Sequence, residues 1–254
     1  MHKKHQQTPD KSASERRKPT PTFLLELPLR VTAGQAKRVR AHLEAARQLY
    51  NAILSEGQRR LRRMRADPAW QAARTIPRTQ KLERKRAFET LRQQFGFSEY
   101  DLHEAAKGLN CSWIADHIDA VLAQTLATRA YRALNRVCLG QARRVRFRSR
   151  SRGISSVENK RNNTGLRLVL QPPEEGNHGY LLWQGDQLEA LIDWDDPVVT
   201  YGLAHRVKYP ASLCARRAVP TLREPTQQAS GTTCNWRSQA CRITNPNTPW
   251  ATTR

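Results

Sequence analysis

Arg144-Val145-Arg146-Phe147-Arg148 is the stretch at which the hydrophobic period of the chain changes. Before it, apolar residues recur at helical spacing; within it they alternate, Val145 and Phe147 facing one way and the arginines the other. Such alternation predicts a half-buried strand with a wholly cationic outer face. The same period continues downstream. Leu166, Leu168 and Leu170 alternate with Arg167 between them, and Tyr180-Leu181-Leu182-Trp183 and Val198-Val199-Thr200-Tyr201 read as further short strands. Turn signals separate them at Glu175-Gly176-Asn177 and Gln184-Gly185-Asp186.

Upstream, the reading is helical. Thr32-Ala33-Gly34-Gln35 has capping-box spacing, and Val39, Leu43, Ala46, Tyr50, Ile53, Leu54 and Leu61 form one stripe behind it. That predicts a helix of about eight turns. Asp67-Pro68 breaks it, and a loop is expected from there to Thr79. Leu82, Ala87, Phe88, Leu91 and Phe95 give a second helix, ended by Gly96; Ser98 caps a third; Ser112 opens a fourth that runs to Gly140. Ahead of all of them, Phe23-Leu24-Leu25-Glu26-Leu27-Pro28-Leu29 reads as a strand whose proline marks an edge.

A strand before the helices and several after them make the helical unit an insertion. The expected fold is therefore α+β: a small β-barrel, as short strands of this kind often form, interrupted by an inserted helical lobe. The divisions are a disordered basic arm over 1–22, a first barrel strand over 23–31, the helical lobe over 32–140, the rest of the barrel over 141–209, and an irregular tail over 210–254. In that tail the apolar period disappears and Glu224 is the single acid. A change this abrupt is what a shifted or truncated reading frame would produce.

The 254 residues carry 44 Lys+Arg against 22 Asp+Glu, a formal net charge of +22. Self-repulsion of that size opposes compaction unless a polyanion offsets it, and the positive charge comes in blocks, so nucleic acid is the expected partner. Mean hydropathy is −0.75, and no apolar run approaches the length of a membrane span. The polar start Met1-His2-Lys3-Lys4-His5 has no apolar segment behind it, unlike a secretory signal. Five scattered cysteines suit a reducing cytoplasm better than a disulfide scaffold.

Arg144, Arg146 and Arg148, flanked by Arg143, Arg150 and Arg152, are the strongest candidate site. Alternate residues of a strand lie about 6.6 Å apart, a spacing that suits the phosphates of one nucleic-acid strand. Like charges in line on one face repel each other unless an anion is present. Lys160, Arg161 and Arg167 would extend this surface. Arg59, Arg62 and Arg63, near the end of the long helix, could line a groove for a duplex, although an exposed helix end explains them too. Asn51 could contact a base, whereas its neighbour Tyr50 fits the core stripe. Asp193, Asp195 and Asp196 are sequential before Pro197, which fits a turn rather than a converging metal site. His178, His205 and the cysteines match no compact zinc spacing. No catalytic residue and no cofactor is read from this chain.

Taken in order, Phe23–Leu29, Glu44-Ala-Ala-Arg-Gln-Leu-Tyr-Asn51, Phe95-Gly-Phe-Ser-Glu-Tyr100, Val145-Arg-Phe-Arg148 and Ser156-Val-Glu-Asn-Lys160 running into Asn163-Thr-Gly-Leu166 resemble TnpB. TnpB proteins are transposon-encoded, RNA-guided DNA endonucleases, often labelled transposases and related to type V CRISPR effectors. The resemblance covers about residues 23–209. It implies a wedge-type β-barrel interrupted by a recognition lobe, with guide RNA and DNA as partners. It also implies that a RuvC-like nuclease with three metal-binding acids, and a zinc element, would follow. After Tyr209 the chain departs from that pattern, so a divalent metal and zinc are expected only in the part this chain lacks. The expectation is a nucleic-acid-binding portion without nuclease activity. The alternatives are a nuclease-free DNA-binding regulator and a non-functional pseudogene product.

Overall fold

The computed structural model describes residues 22–160, 164–171, 178–204, 212–214, 234–236 and 241–244. Two short strands come first, β1 (Thr22–Leu25) and β2 (Leu29–Val31). Leu25, Leu27, Leu29 and Val31 are all buried, so the strand period of two persists across Pro28. The helices follow: α1 (Ala33–Ala66), α2 (Pro68–Thr75), α3 (Lys81–Gln94), α4 (Glu99–Leu109) and α5 (Ala120–Cys138). After them come β3 (Ser156–Glu158), β4 (Arg167–Leu170), β5 (Gly179–Trp183), β6 (Asp186–Ala190), α6 (Pro197–Ala204), β7 (Ser212–Cys214), β8 (Cys234–Trp236) and β9 (Cys241–Thr244). The fold is mixed α+β.

Two of the helix starts carry the caps read from sequence. The Thr32 hydroxyl accepts from Gln35 N at 3.2 Å, and the Gln35 side chain accepts from Thr32 N at 2.8 Å. Ser98 and Asp101 form the same reciprocal cap on α4. Elsewhere the structure corrects the sequence reading. The expected loop after Asp67 is α2: Asp67 accepts from Ala69 N, and Pro68 occupies the first turn, where its missing N–H costs nothing. The expected helix from Ser112 is a single tight turn, Ser112–Ile114, and α5 starts only where Asp119 caps Val121 N and Leu122 N. The expected strand at 198–201 is α6. Asp196 accepts from Val198 N at 2.8 Å and Pro197 opens the helix, so local capping overrides the β-branched run.

The expected strand at 144–148 is absent as well; that segment has no regular secondary structure and pairs with no strand among the described residues. Strands are found instead at β3 and β6. Gln184 and Gly185, with φ of 47° and 80°, form the tight turn that joins β5 to β6.

The main sheet is antiparallel in the order β4-β5-β6-β2, with β8 beside β2. It is open among the described residues, which corrects the closed barrel. Leu29 pairs with Ala190 and Arg30 with Glu189, so α1 to α5 lie in sequence between two adjacent strands. β7, β8 and β9, from the stretch read as an irregular tail, pair with β3, β2 and β1 respectively. The basic arm, apart from Thr22, and the Glu175-Gly176-Asn177 turn lie outside the described residues.

The core forms where α1 crosses α5 and α4. Leu49, Ile53 and Leu54 of α1 are fully buried with Leu102 of α4 and Leu122 and Leu134 of α5. Burying each such side chain contributes about 1.5–3 kcal/mol. Gly57 of α1 faces α5, where an added Cβ would collide with Leu134 Cδ1. Leu181, Trp183 and Leu188 bring the sheet into the same cluster.

Candidate nucleic-acid interface

The segment after α5 is held from behind by α1. Asn51 Nδ2 donates to the Arg148 carbonyl at 2.9 Å, and Arg148 N donates to Asn51 Oδ1 at 2.9 Å. Arg47 Nη1 donates to the same carbonyl at 3.0 Å, while Glu44 grips Arg47 with both carboxylate oxygens. Arg47 holds the Glu44 carboxyl down at about 2, with smaller help from Gln48 and Arg150 against burial. Asn51 thus stands in for a strand partner. Arg148 is fastened as a β residue would be, but by a side chain.

With its backbone fastened, the segment presents its side chains outward. Arg143, Arg144, Arg146, Arg148, Arg150 and Arg152 are all exposed. Val145 packs on the core, but Phe147 is 49% exposed. That corrects the expectation that both face inward. After Arg148 the chain turns: Ser149 Oγ accepts from Arg152 N, and Gly153, at φ 59°, donates to the Ser149 carbonyl. Arg150 and Arg152 therefore project from a turn rather than a strand. Further on, Arg129 donates to the Ser156 carbonyl at 3.0 Å and positions the entry to β3.

The other candidates are scattered around this segment. Lys160 is exposed and reaches Gln124 at 3.4 Å. Arg167 lies on β4, paired in register with Leu182. Arg161 lies outside the described residues. Asn51, read as a base contact, spends both side-chain groups on Arg148 and acts as a clamp. Tyr50 is buried, and burial raises its hydroxyl pKa against the nearby Arg148 and Arg129.

In the second arginine cluster, Arg59 and Arg60 share Glu56 at 2.8 and 2.7 Å. Arg65 donates to the Val137 carbonyl at the end of α5. Arg62 and Arg63 are exposed and make no ion pair among the described residues. Past them opens a cavity of about 860 Å³ between α1, α2, α3 and the end of α5. Its walls include Arg65, Arg74, Arg84, Lys85 and Arg92 against the single acid Glu89. Sequence reading missed this patch because its cations come from three different helices and share no spacing.

A polar chain centred on the buried His42 and Asp186 was also invisible in the sequence. Arg38 Nε donates to Asp186 Oδ1 at 2.6 Å, and His42 Nε2 lies 3.5 Å from Asp186 Oδ2. His42 Nδ1 stands 3.0 Å from His117 Nδ1. The tautomers that avoid facing lone pairs have His117 Nδ1–H donating to His42 and His42 Nε2–H directed at Asp186. Burial, with His117 and Arg38, lowers the His42 pKa against the pull of Asp186. This chain ties α1 to the β5–β6 turn.

Asp193 and Asp195 are exposed; Asp193 accepts from Asp195 N and Asp196 caps α6, so this trio shapes a turn. Among the described residues no group of three or more His, Cys, Asp or Glu side chains converges as a metal site. Nor, among them, is any helix long and apolar enough to cross a membrane. Comparison of the chain with family models, with curated proteins and with solved structures finds no match.

Proposed function

We propose that this chain binds nucleic acid as the N-terminal part of a TnpB-type, RNA-guided endonuclease, with guide RNA and DNA as partners and no nuclease chemistry of its own. In that reading the open sheet and its neighbouring strand pairs correspond to a wedge-type barrel, and α1 to α5 to the inserted recognition lobe. The observation that carries the proposal is the run of exposed arginines from Arg143 to Arg152, with its backbone fastened to α1 through Asn51 and Arg47. Six guanidiniums displayed on a fixed support repel one another, and phosphates relieve that repulsion. Sequence choice would come from a bound RNA rather than from base-reading side chains.

The test is binding of a labelled RNA as salt is raised. Neutralising about six to ten phosphates lowers affinity by about 10³–10⁵ between 50 and 200 mM salt. A flat response would refute nucleic-acid binding. Sequencing the RNA crosslinked to the tagged protein tests the guide: one discrete species supports it, and a smear that follows RNA abundance opposes it.

A further inference from the structure

We infer that the Arg143–Arg152 face takes an unpaired nucleic-acid strand and that Phe147 stacks on one of its bases, an inference that rests on the nucleic-acid reading above. A lone exposed phenyl on a protein surface is ordinary. This one differs in its support and in its neighbours. Val145 is packed into the core on one side of it, and the Arg148 backbone is bonded to Asn51 on the other. The intervening residues have little freedom to fold the ring away. Phe147 remains 49% exposed, with Arg146 and Arg148 as immediate neighbours and Arg144 and Arg150 beyond them, all exposed.

The chemistry that suits this arrangement is specific. Guanidiniums at intervals along the segment bind phosphates, and an aromatic face between them offers stacking to a base. A base inside a duplex has both faces covered by its neighbours, so only a strand with unstacked bases can use the ring. Proteins that hold single strands without sequence preference combine these two elements, a cationic track and aromatic platforms. Because every base has a π-face, the contact adds affinity without choosing a sequence. The engagement of Asn51 agrees with that, since its side-chain groups are both occupied by Arg148.

The experiment uses the full chain and two fluorescein-labelled 20-mer RNAs, one unpaired and one annealed to its complement, followed by anisotropy across a salt series. Phe147→Ala is expected to weaken binding of the unpaired strand by about 5- to 150-fold, the range for loss of one stacked base. The affinity for the duplex and the salt slope should stay as they were. Phe147→Trp should restore unpaired-strand binding, whereas Phe147→Leu, apolar without a π-face, should not. A 2-aminopurine placed in the strand should be quenched by the parent protein and not by Phe147→Ala. Equal losses on strand and duplex, no loss on either, or full rescue by leucine would overturn the stacking role. Arg144→Ala with Arg146→Ala separates the two readings. If that pair lowers the salt slope while Phe147→Ala changes nothing, the electrostatic site stands and the stacking inference falls. If neither variant alters binding and the salt response is flat, the nucleic-acid reading itself falls.

Discussion

Asn51 and Arg148, 97 positions apart, exchange a pair of 2.9 Å hydrogen bonds in which an asparagine side chain takes the place of a neighbouring strand. The amide supplies one donor and one acceptor, and the backbone of one extended residue needs one of each. This match explains how the backbone of Arg148, in a segment with an alternating strand pattern, is satisfied without a strand partner among the described residues. It also ties the candidate phosphate-binding face to the middle of the longest helix.

Replacing Asn51 should therefore loosen the face more than it destabilises the protein. Two hydrogen bonds near the surface are worth about 0.5–1.5 kcal/mol each, so Asn51→Ala should lower stability modestly. The Arg148 amide should lose protection in hydrogen exchange while amides in α5 keep theirs. RNA affinity should fall with an unchanged salt slope, because the arginines remain but are no longer preorganised. An Arg148 amide that exchanges as slowly as in the parent would contradict the clamp.

Arg62 and Arg63 offer an independent check on the second patch. Arg59 and Arg60 are both paired with the one carboxylate of Glu56, and Arg65 is committed to the Val137 carbonyl. If the exposed pair contacts phosphates, Arg62→Ala with Arg63→Ala should reduce the salt slope by about 2, about one unit for each lost contact. The melting temperature should not move, since neither side chain forms an ion pair among the described residues. An unchanged slope would assign the pair to a plain solvated helix end.

Gly57 marks a place where the helical unit leaves no room for a side chain. A side chain there would run into Leu134 and press on Leu102, both fully buried. Gly57→Val should lower stability by about 1–3 kcal/mol, the usual range for overpacking a filled core. Helix propensity alone would favour replacing glycine, by about 1 kcal/mol for alanine. A valine variant as stable as the parent in urea unfolding would show that α1 and α5 lie farther apart.

How far the sequence could be read depended on the range over which each signal acts. The Thr32–Gln35 capping box and the Ser98 N-cap are local devices, and both form as read, with Asp101 returning a bond to Ser98 N that the reading did not include. The same locality misled at Asp67-Pro68 and Asp196-Pro197. A residue pair that ends one element also caps the next, and only tertiary packing decides whether the next is a helix. Val198-Val199-Thr200-Tyr201 has strand composition but follows such a cap and is helical. The Arg144–Arg148 alternation was legible, but its partner was not, because nothing near residue 148 points to residue 51. For His42 the difficulty was similar: it lies beside the apolar stripe of α1, and its importance comes from His117 and Asp186, far away in sequence.

That histidine sets the pH response. Burial, the largest influence, lowers the His42 pKa in the folded chain below its ordinary value of 6.5, so folding favours the neutral ring. A group depressed in this way contributes stability in full above its unfolded pKa and loses it as pH falls below that value. The melting temperature should therefore be level above about pH 6.5 and decline below it. The tautomer argument gives the reason: a second proton on His42 would set an N–H against the N–H of His117 at 3.0 Å. Burial lowers His103 too, so its contribution lies in the same window. His42→Gln should flatten part of the decline, and the double variant with His103→Gln more of it. Glu44 acts later. Its carboxyl moves from an ordinary 4.5 to about 2 under the hold of Arg47, so its contribution is lost only as pH falls below 4.5. A melting profile with two separate acid steps, the upper one reduced in His42→Gln and the lower one in Glu44→Gln, is the expected result. A single step near pH 4 in the parent protein would show that His42 is free to take a proton in the folded state, and that the polar chain from Arg38 to His117 does not form.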